Sequence, residues 1–148
     1  MNKMKIFLSA PISAFRDEVK YHEYRLLLLG LLDFLREEYE VYSEIEKISG
    51  LSSYDEPGKS AIDDFRRITE SDVFMLHHPA RMQTSALIEL GYAFAKGKKI
   101  IMIADPNDLP YLALGLSTFS SSVRIVASSE LNKQTISEIL FVLNNFEE

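Results

Sequence analysis

Five short apolar runs recur along the chain with helix-length segments between them, and this alternation limits the fold more than any other feature. The runs are Lys5 to Ser9, Tyr39 to Ser43, Val73 to Leu76, Lys99 to Ala104 and Val123 to Ala127. Each has the length of a strand, and the most apolar, Lys99 to Ala104, belongs at the centre of a sheet. Strands joined through helices run parallel, because right-handed crossovers return the chain to the same end, and helices then cover both faces. The intervening segments read as a long helix over about Arg16 to Glu38, with Val19, Leu26, Leu27, Leu31, Leu32 and Leu35 as its apolar positions. A second helix runs from about Ser60, as N-cap, to Glu70, with Ile62, Phe65 and Ile68 inward. A third spans Glu89 and stops at Gly97, and a last one covers Lys133 to Phe146. Pro110 to Ser122 reads as irregular or briefly helical.

Five such strands predict an α/β, flavodoxin-like (Rossmann-like) three-layer fold with a five-stranded parallel sheet in the order 2-1-3-4-5. Ligands bind such sheets in the crevice at the carboxyl ends of strands one and three. The loop from Ser9 to Arg16 and the start of the Glu89 helix should both border that crevice. At 148 residues the chain is long enough to bury a core, and residues 1–148 read as a single domain.

Glu89 is the residue that stands out against this frame. It is the one charged side chain in Thr84-Ser85-Ala86-Leu87-Ile88-Glu89-Leu90-Gly91-Tyr92-Ala93-Phe94-Ala95, a helix apolar almost all round and so covered on most sides. A carboxylate there loses hydration, and its pKa rises unless donors or partners compensate. It is not a capping-box glutamate, because Ile88 holds the position three residues after Ser85. Two readings stay open: a carboxylate held near the helix N-terminus by free amides and the helix dipole, or a reactive group in the crevice.

The net charge of −6 argues against long nucleic acids, which need a basic surface, but leaves small anions open. The chain has no cysteine, which excludes disulfides and thiolate metal sites. The apolar stretch after Met1-Asn2-Lys3-Met4-Lys5 is too short for a signal peptide, and no run reaches membrane-spanning length. A cytoplasmic protein with no membrane association is the expectation.

Some motifs are decoys. Gly58-Lys59-Ser60 looks like the end of a phosphate-binding loop, but Ser53 stands where the first glycine is needed and no strand leads directly in. His77 and His78 are adjacent on a strand, so they point to opposite faces, and with His22 the only other histidine they read as structural or rim residues rather than metal ligands. Asp64 and Asp72 are open either way: as a first-turn acid and a helix-ending acid, or as part of a site.

A family resemblance gathers these residues. Lys5-Ile6-Phe7-Leu8-Ser9-Ala10-Pro11-Ile12-Ser13 is similar to the first strand and loop of the nucleoside 2-deoxyribosyltransferase family. Asp64, eight residues before Asp72-Val73, resembles that family's aspartate in the helix before a strand-opening Asp-Val. Glu89-Leu90-Gly91-Tyr92-Ala93, followed by Gly97-Lys98-Lys99, resembles its nucleophile helix and next strand. The likeness covers Lys5 to about Ala104 and extends to the related deoxynucleoside-monophosphate N-hydrolases. It implies that Glu89 attacks the anomeric carbon of a nucleoside or nucleotide to give a glycosyl-enzyme, and that Asp64 contacts the base and protonates it as it leaves. A second base as acceptor gives transfer and water gives hydrolysis.

The resemblance also implies a homo-oligomer, with a neighbour's Pro110-to-Ser122 segment completing each pocket, and no metal or organic cofactor. Phe7 replaces the family's usual tyrosine, and Gln83-Thr84-Ser85-Ala86-Leu87 replaces a stretch that commonly has an aspartate and glycines. Phosphate-binding positions of the monophosphate hydrolases fall on Pro11 and Ser13. Ser9, Ser13, Arg16 and Ser85 are the candidate rim or phosphate contacts, and Asp72 a candidate for orienting the site.

Two other readings compete. Pro57-Gly58-Lys59-Ser60 through Ser71-Asp72-Val73 looks like the loop-and-helix segment of Toll/interleukin-receptor-type domains, some of which cleave NAD with a helical glutamate. Ser85 to Ala93 lacks the aromatic that often precedes that glutamate, and the Asp64-to-Asp72 pairing favours the first family. The third reading is a nucleotide-sensing or interaction module without turnover, its pocket narrowed by Ala86-Leu87-Ile88.

Overall fold

The computed structural model describes residues 3–128 and 130–146. Its strands are β1 (Lys5–Ser9), β2 (Glu40–Tyr42), β3 (Val73–His78), β4 (Lys99–Ala104) and β5 (Val123–Val126). The helices are α1 (Glu18–Leu35), α2 (Pro57–Glu70), α3 (Ala86–Ala95), α4 (Tyr111–Phe119) and α5 (Lys133–Asn144). All five strands pair in parallel in the order β2-β1-β3-β4-β5. The expected three-layer α/β fold and strand order are both present.

Alternate residues of the inner strands feed two separate cores. Ile6, Leu8, Met75, Ile101 and Ile103 pack beneath α1 and α5. Phe7, Phe74, Leu76, Ile100 and Met102 pack beneath α2, α3 and α4. Strands apolar on both faces can only lie between two helical layers, which is why β3 and β4 read as continuous hydrophobic runs. Ser9 follows Leu8 and so shares the Phe7 face, towards α3.

The helix ends have identifiable causes. Asp17 caps α1, accepting from the Val19 and Lys20 amides at 2.9 and 3.1 Å, so the helix begins after Arg16 rather than at it. Pro57 sits at the first turn of α2 with Glu56 as its N-cap, which places Ser60 inside the helix and not at its cap. Gly97 has φ +72° and ends α3 in a Schellman motif, with Lys98 N bonded to Ala93 O and Gly97 N to Phe94 O. Segment 110–122 is helical over nine residues.

Two helix faces differ from the sequence reading. In α1 the buried side chains are Tyr21, Tyr24, Leu28, Leu31, Leu32 and Leu35, while Val19, Leu26 and Leu27 are exposed. The leucine run at 26–29 has no unique phase. The two tyrosines select it, because they bury apolar rings while Tyr21 donates to Ile48 O and Tyr24 pairs with His77 Nδ1. In α2 Ile68 is buried and Phe65 packs against the core, but Ile62 is 70% exposed.

Candidate active site

A cavity of about 370 Å³ opens at the carboxyl ends of β1 and β3, within the range of small-molecule sites. It is walled by the loop after β1, the turn after β2, α2 and the start of α3. Four of its side chains carry the chemistry: Ser9, Glu44, Asp64 and Glu89.

Glu89 lies on the first turn of α3, where the helix dipole favours an anion. Ser9, the last residue of β1, donates its hydroxyl to Glu89 Oε1 at 2.7 Å. Burial raises the Glu89 pKa, while hydrogen bonds from Ser9 and Asp64 oppose the rise. Asp64, on the second turn of α2, faces Glu89 across the cavity. Its Oδ1 is buried and finds no protein donor among the described residues. Burial first, then the Glu44 carboxyl and then the charge of Glu89, push the Asp64 pKa far above the ordinary carboxylate range.

Two facing carboxyls cannot both ionise readily in a poorly solvated pocket, so one keeps a proton. Burial raises both pKa values, and the Ser9 hydroxyl, donating to Glu89 Oε1 at 2.7 Å, favours the ionised form of Glu89 and so leaves the proton to Asp64. The arrangement therefore supplies an anion with a nucleophilic oxygen beside a carboxylic acid able to donate, two roles separated by environment.

The other residues anticipated from sequence divide. Phe7 is buried in the cavity floor, its ring 5.8 Å from Phe74 and 5.5 Å from Tyr42. Ser13 and Ser85 meet at the rim, with Ser85 N bonded to Ser13 Oγ at 3.4 Å. Arg16 lies beyond this rim in an adjoining concavity with Phe15, Leu51 and Tyr54, and its guanidinium donates to the Ser13 and Phe15 carbonyls. Pro11 precedes the 3-10 turn Ile12–Ala14 and is absent from the cavity wall.

Asp72 does not join the site. It precedes β3, so it sits at the amino ends of the strands, and its Oδ2 accepts from Lys5 N at 2.8 Å. Its work is to pin the start of β1. Ser9 is engaged with Glu89 rather than presented at the rim. His77 and His78 are both buried, with His77 bonded to Tyr24 on the α1 side.

Glu44 and Tyr42 were not anticipated. Tyr42 ends β2, and its hydroxyl donates to Glu44 Oε1 at 2.5 Å. The signal was available in principle, since any residue just past β2 borders the carboxyl-end crevice. The described residues hold no group of three histidine or acidic side chains arranged for a metal ion. None of their helices is long and apolar enough to cross a membrane.

No known family's sequence profile matches the chain, and no curated protein does. Solved structures do. The CMP N-glycosidase BcmB of Clostridium botulinum is 25% identical, aligned over 93% of this chain and 98% of its own, with a TM-score of 0.67. BlsM is 18% identical over 97% and 96%, with a TM-score of 0.70. A conserved protein of Enterococcus faecalis V583 is 19% identical over 93% and 99%, with a TM-score of 0.53. The latter two bear on the fold alone. The chain thus resembles, over nearly its whole length, a fold used by a nucleotide N-glycosidase, in keeping with the nucleoside 2-deoxyribosyltransferase-like resemblance drawn from its motifs.

Proposed function

We propose that the chain, working as one domain, is an N-glycosidase that cleaves the bond between base and sugar in a nucleoside or nucleotide. The observation that carries this reading is the pairing of Glu89, held by the Ser9 hydroxyl, with a proton-bearing Asp64 in one cavity. The likeness to a CMP N-glycosidase supports the same substrate class.

In the first half-reaction a Glu89 carboxylate oxygen bonds to the anomeric carbon. The C–N bond breaks, its electron pair passes to the base, and the Asp64 proton follows it. The carboxylate stabilises the oxocarbenium-like charge as the bond breaks. In the second half, water attacks the anomeric carbon, gives its proton to Asp64, and releases Glu89 as a carboxylate. A second base in place of water makes the same chemistry a transfer.

Ser13, Ser85 and Arg16 provide hydroxyl, amide and guanidinium donors on one side of the cavity, where a 5′-phosphate would be received near the start of α3. In this reading the protein assembles as a homo-oligomer through α4, whose Tyr111, Leu112 and Phe119 are 89, 78 and 71% exposed in the isolated chain.

The test is release of free base from deoxynucleosides, their monophosphates, ribonucleotides and NAD, comparing wild type with Glu89→Ala. Base release that disappears in the variant supports the assignment, and the productive substrate identifies the class, NAD included. No release across the panel by folded protein that binds a nucleotide would refute it in favour of a sensor.

A further inference from the structure

The cavity that holds Glu89 does not end at its rim. A second concavity of about 470 Å³ adjoins it, and the two share Ser13 and Tyr54 as wall. The Tyr54 hydroxyl donates to Ile12 O at 3.2 Å, so the boundary between the two spaces is a contact between the loop before α2 and the loop after β1. Beyond it the walls are Phe15, Leu51 and Tyr54, with Arg16 as the one charged side chain lining the space.

These walls are held from behind. The Phe15 ring stacks on Tyr24 at 4.9 Å and meets Tyr21 edge-on at 5.7 Å. Leu51 N donates to Glu18 Oε1 at 2.9 Å, which pins its loop to the first turn of α1. Arg16 spends only Nη1 within the protein, on the Ser13 and Phe15 carbonyls at 3.0 and 3.4 Å. Its Nε and Nη2 protons are engaged by no described residue and remain for a ligand.

We propose that this second concavity is a binding subsite for an uncharged ring esterified to the 5′-phosphate, so that the preferred substrate is a nucleoside 5′-phosphodiester. The inference rests on the N-glycosidase reading and deepens it by naming the substrate class. With the anomeric carbon at Glu89 and the 5′ end at the rim of Ser13 and Ser85, a group carried by the phosphate leads past Ser13 and Tyr54. A phosphodiester brings one negative charge, which one guanidinium matches. Additional phosphates are disfavoured, because Arg16 has no second cation beside it in the lining while three carboxylates lie close by. Asp17 caps α1 next in sequence, Glu18 holds Leu51 and pairs with His22 at 3.5 Å, and Asp55 follows Tyr54 on the main cavity wall. The remaining walls offer two aromatic side chains and a leucine, which favour a flat, apolar group. The ester bond takes no part in the glycosidic chemistry and stays intact.

The test compares base release from a nucleoside 5′-monophosphate with release from its methyl and phenyl esters, using the base found productive in the panel. The methyl ester has the charge of the phenyl ester without the ring. Wild type should show a KM for the phenyl ester at least about tenfold below that for the methyl ester, and below that for the monophosphate. The kcat values of the two esters should agree within about twofold, since a ring remote from the anomeric carbon binds alike in the ground and transition states. Leu51→Asp, which places a charge in the concavity, should abolish the difference between the esters.

Equal KM values for the two esters in wild type, a monophosphate preferred over the phenyl ester, or an advantage of the ring retained in folded Leu51→Asp overturns the proposal. Should Leu51→Asp not fold, the comparison on wild type decides. If wild type cleaves no substrate, the N-glycosidase reading fails, and calorimetric titration with the two esters still tests the subsite. Binding of the phenyl ester at least about tenfold tighter upholds it, and equal affinities overturn it.

Discussion

Asp64→Asn should make the protein more stable while disabling it, and the size of the effect follows from the carboxylate cluster. In the unfolded chain Asp64 titrates near its ordinary value of 3.8, whereas in the fold burial, Glu44 and Glu89 keep it protonated well past neutrality. The sign is that of a raised acid: the unfolded state releases a proton that the folded state retains, so stability falls as pH rises above about 4. The slope is about 1.4 kcal/mol per pH unit, which over the roughly three units to pH 7 gives about 4 kcal/mol as a ceiling. Water entering the cavity lowers this, and a gain of about 2 kcal/mol is the working expectation. Asparagine has nearly the same shape and no titration, so its stability should be flatter across this range. Urea unfolding of both proteins at pH 5, 6, 7 and 8 reads the difference directly. The two should converge near pH 4 to 5 and separate progressively above it. Parallel curves, or a variant less stable at pH 8, would refute the claim that the fold holds Asp64 protonated. Such a gain at the expense of turnover is what a strained functional group implies.

Other consequences are as direct. Ser9→Ala removes a charge-assisted bond that favours ionised Glu89, so the acid limb of base release should move to higher pH, seen as a greater loss at pH 5 than at pH 8. Leu28→Ala should cost about 2–5 kcal/mol in denaturant unfolding because Leu28 is wholly buried, whereas Leu27→Ala, 59% exposed, should change stability by less than about 0.5 kcal/mol. Gly97→Ala should cost about 1 kcal/mol in the same assay, since its φ of +72° disfavours a side chain although no atom lies within 4 Å of the added carbon.

The parts of the site that sequence made legible are those that topology determines. With the strands parallel, β1 and α3 had to bring Ser9 and Glu89 to one end of the sheet, whereas Asp64 was legible only through the family resemblance. Gly97 was legible because a helix stop needs a residue tolerant of positive φ. Asp72 was misassigned because motif spacing outweighed strand direction: a residue that opens a parallel strand lies at the end opposite the crevice. Glu44 was missed because the connection from Tyr42 to Pro57 carries no periodicity and a lone acid in a polar loop looks like any solvated charge. The α1 face was misphased by Leu26 and Leu27, since a leucine run satisfies several helical registers and only packing of Tyr21 and Tyr24 selects one.

The central claim is that Glu89 forms the bond to the sugar. Its most direct test is to quench the protein during turnover of a substrate found in the base-release panel, digest it, and weigh the peptide that contains Glu89. The account predicts a gain equal to the sugar residue, located on Glu89, absent from Glu89→Gln and accompanied there by loss of at least about a thousand-fold in base release. Base release that persists in folded Glu89→Gln, or a sugar adduct on a different residue, would contradict it.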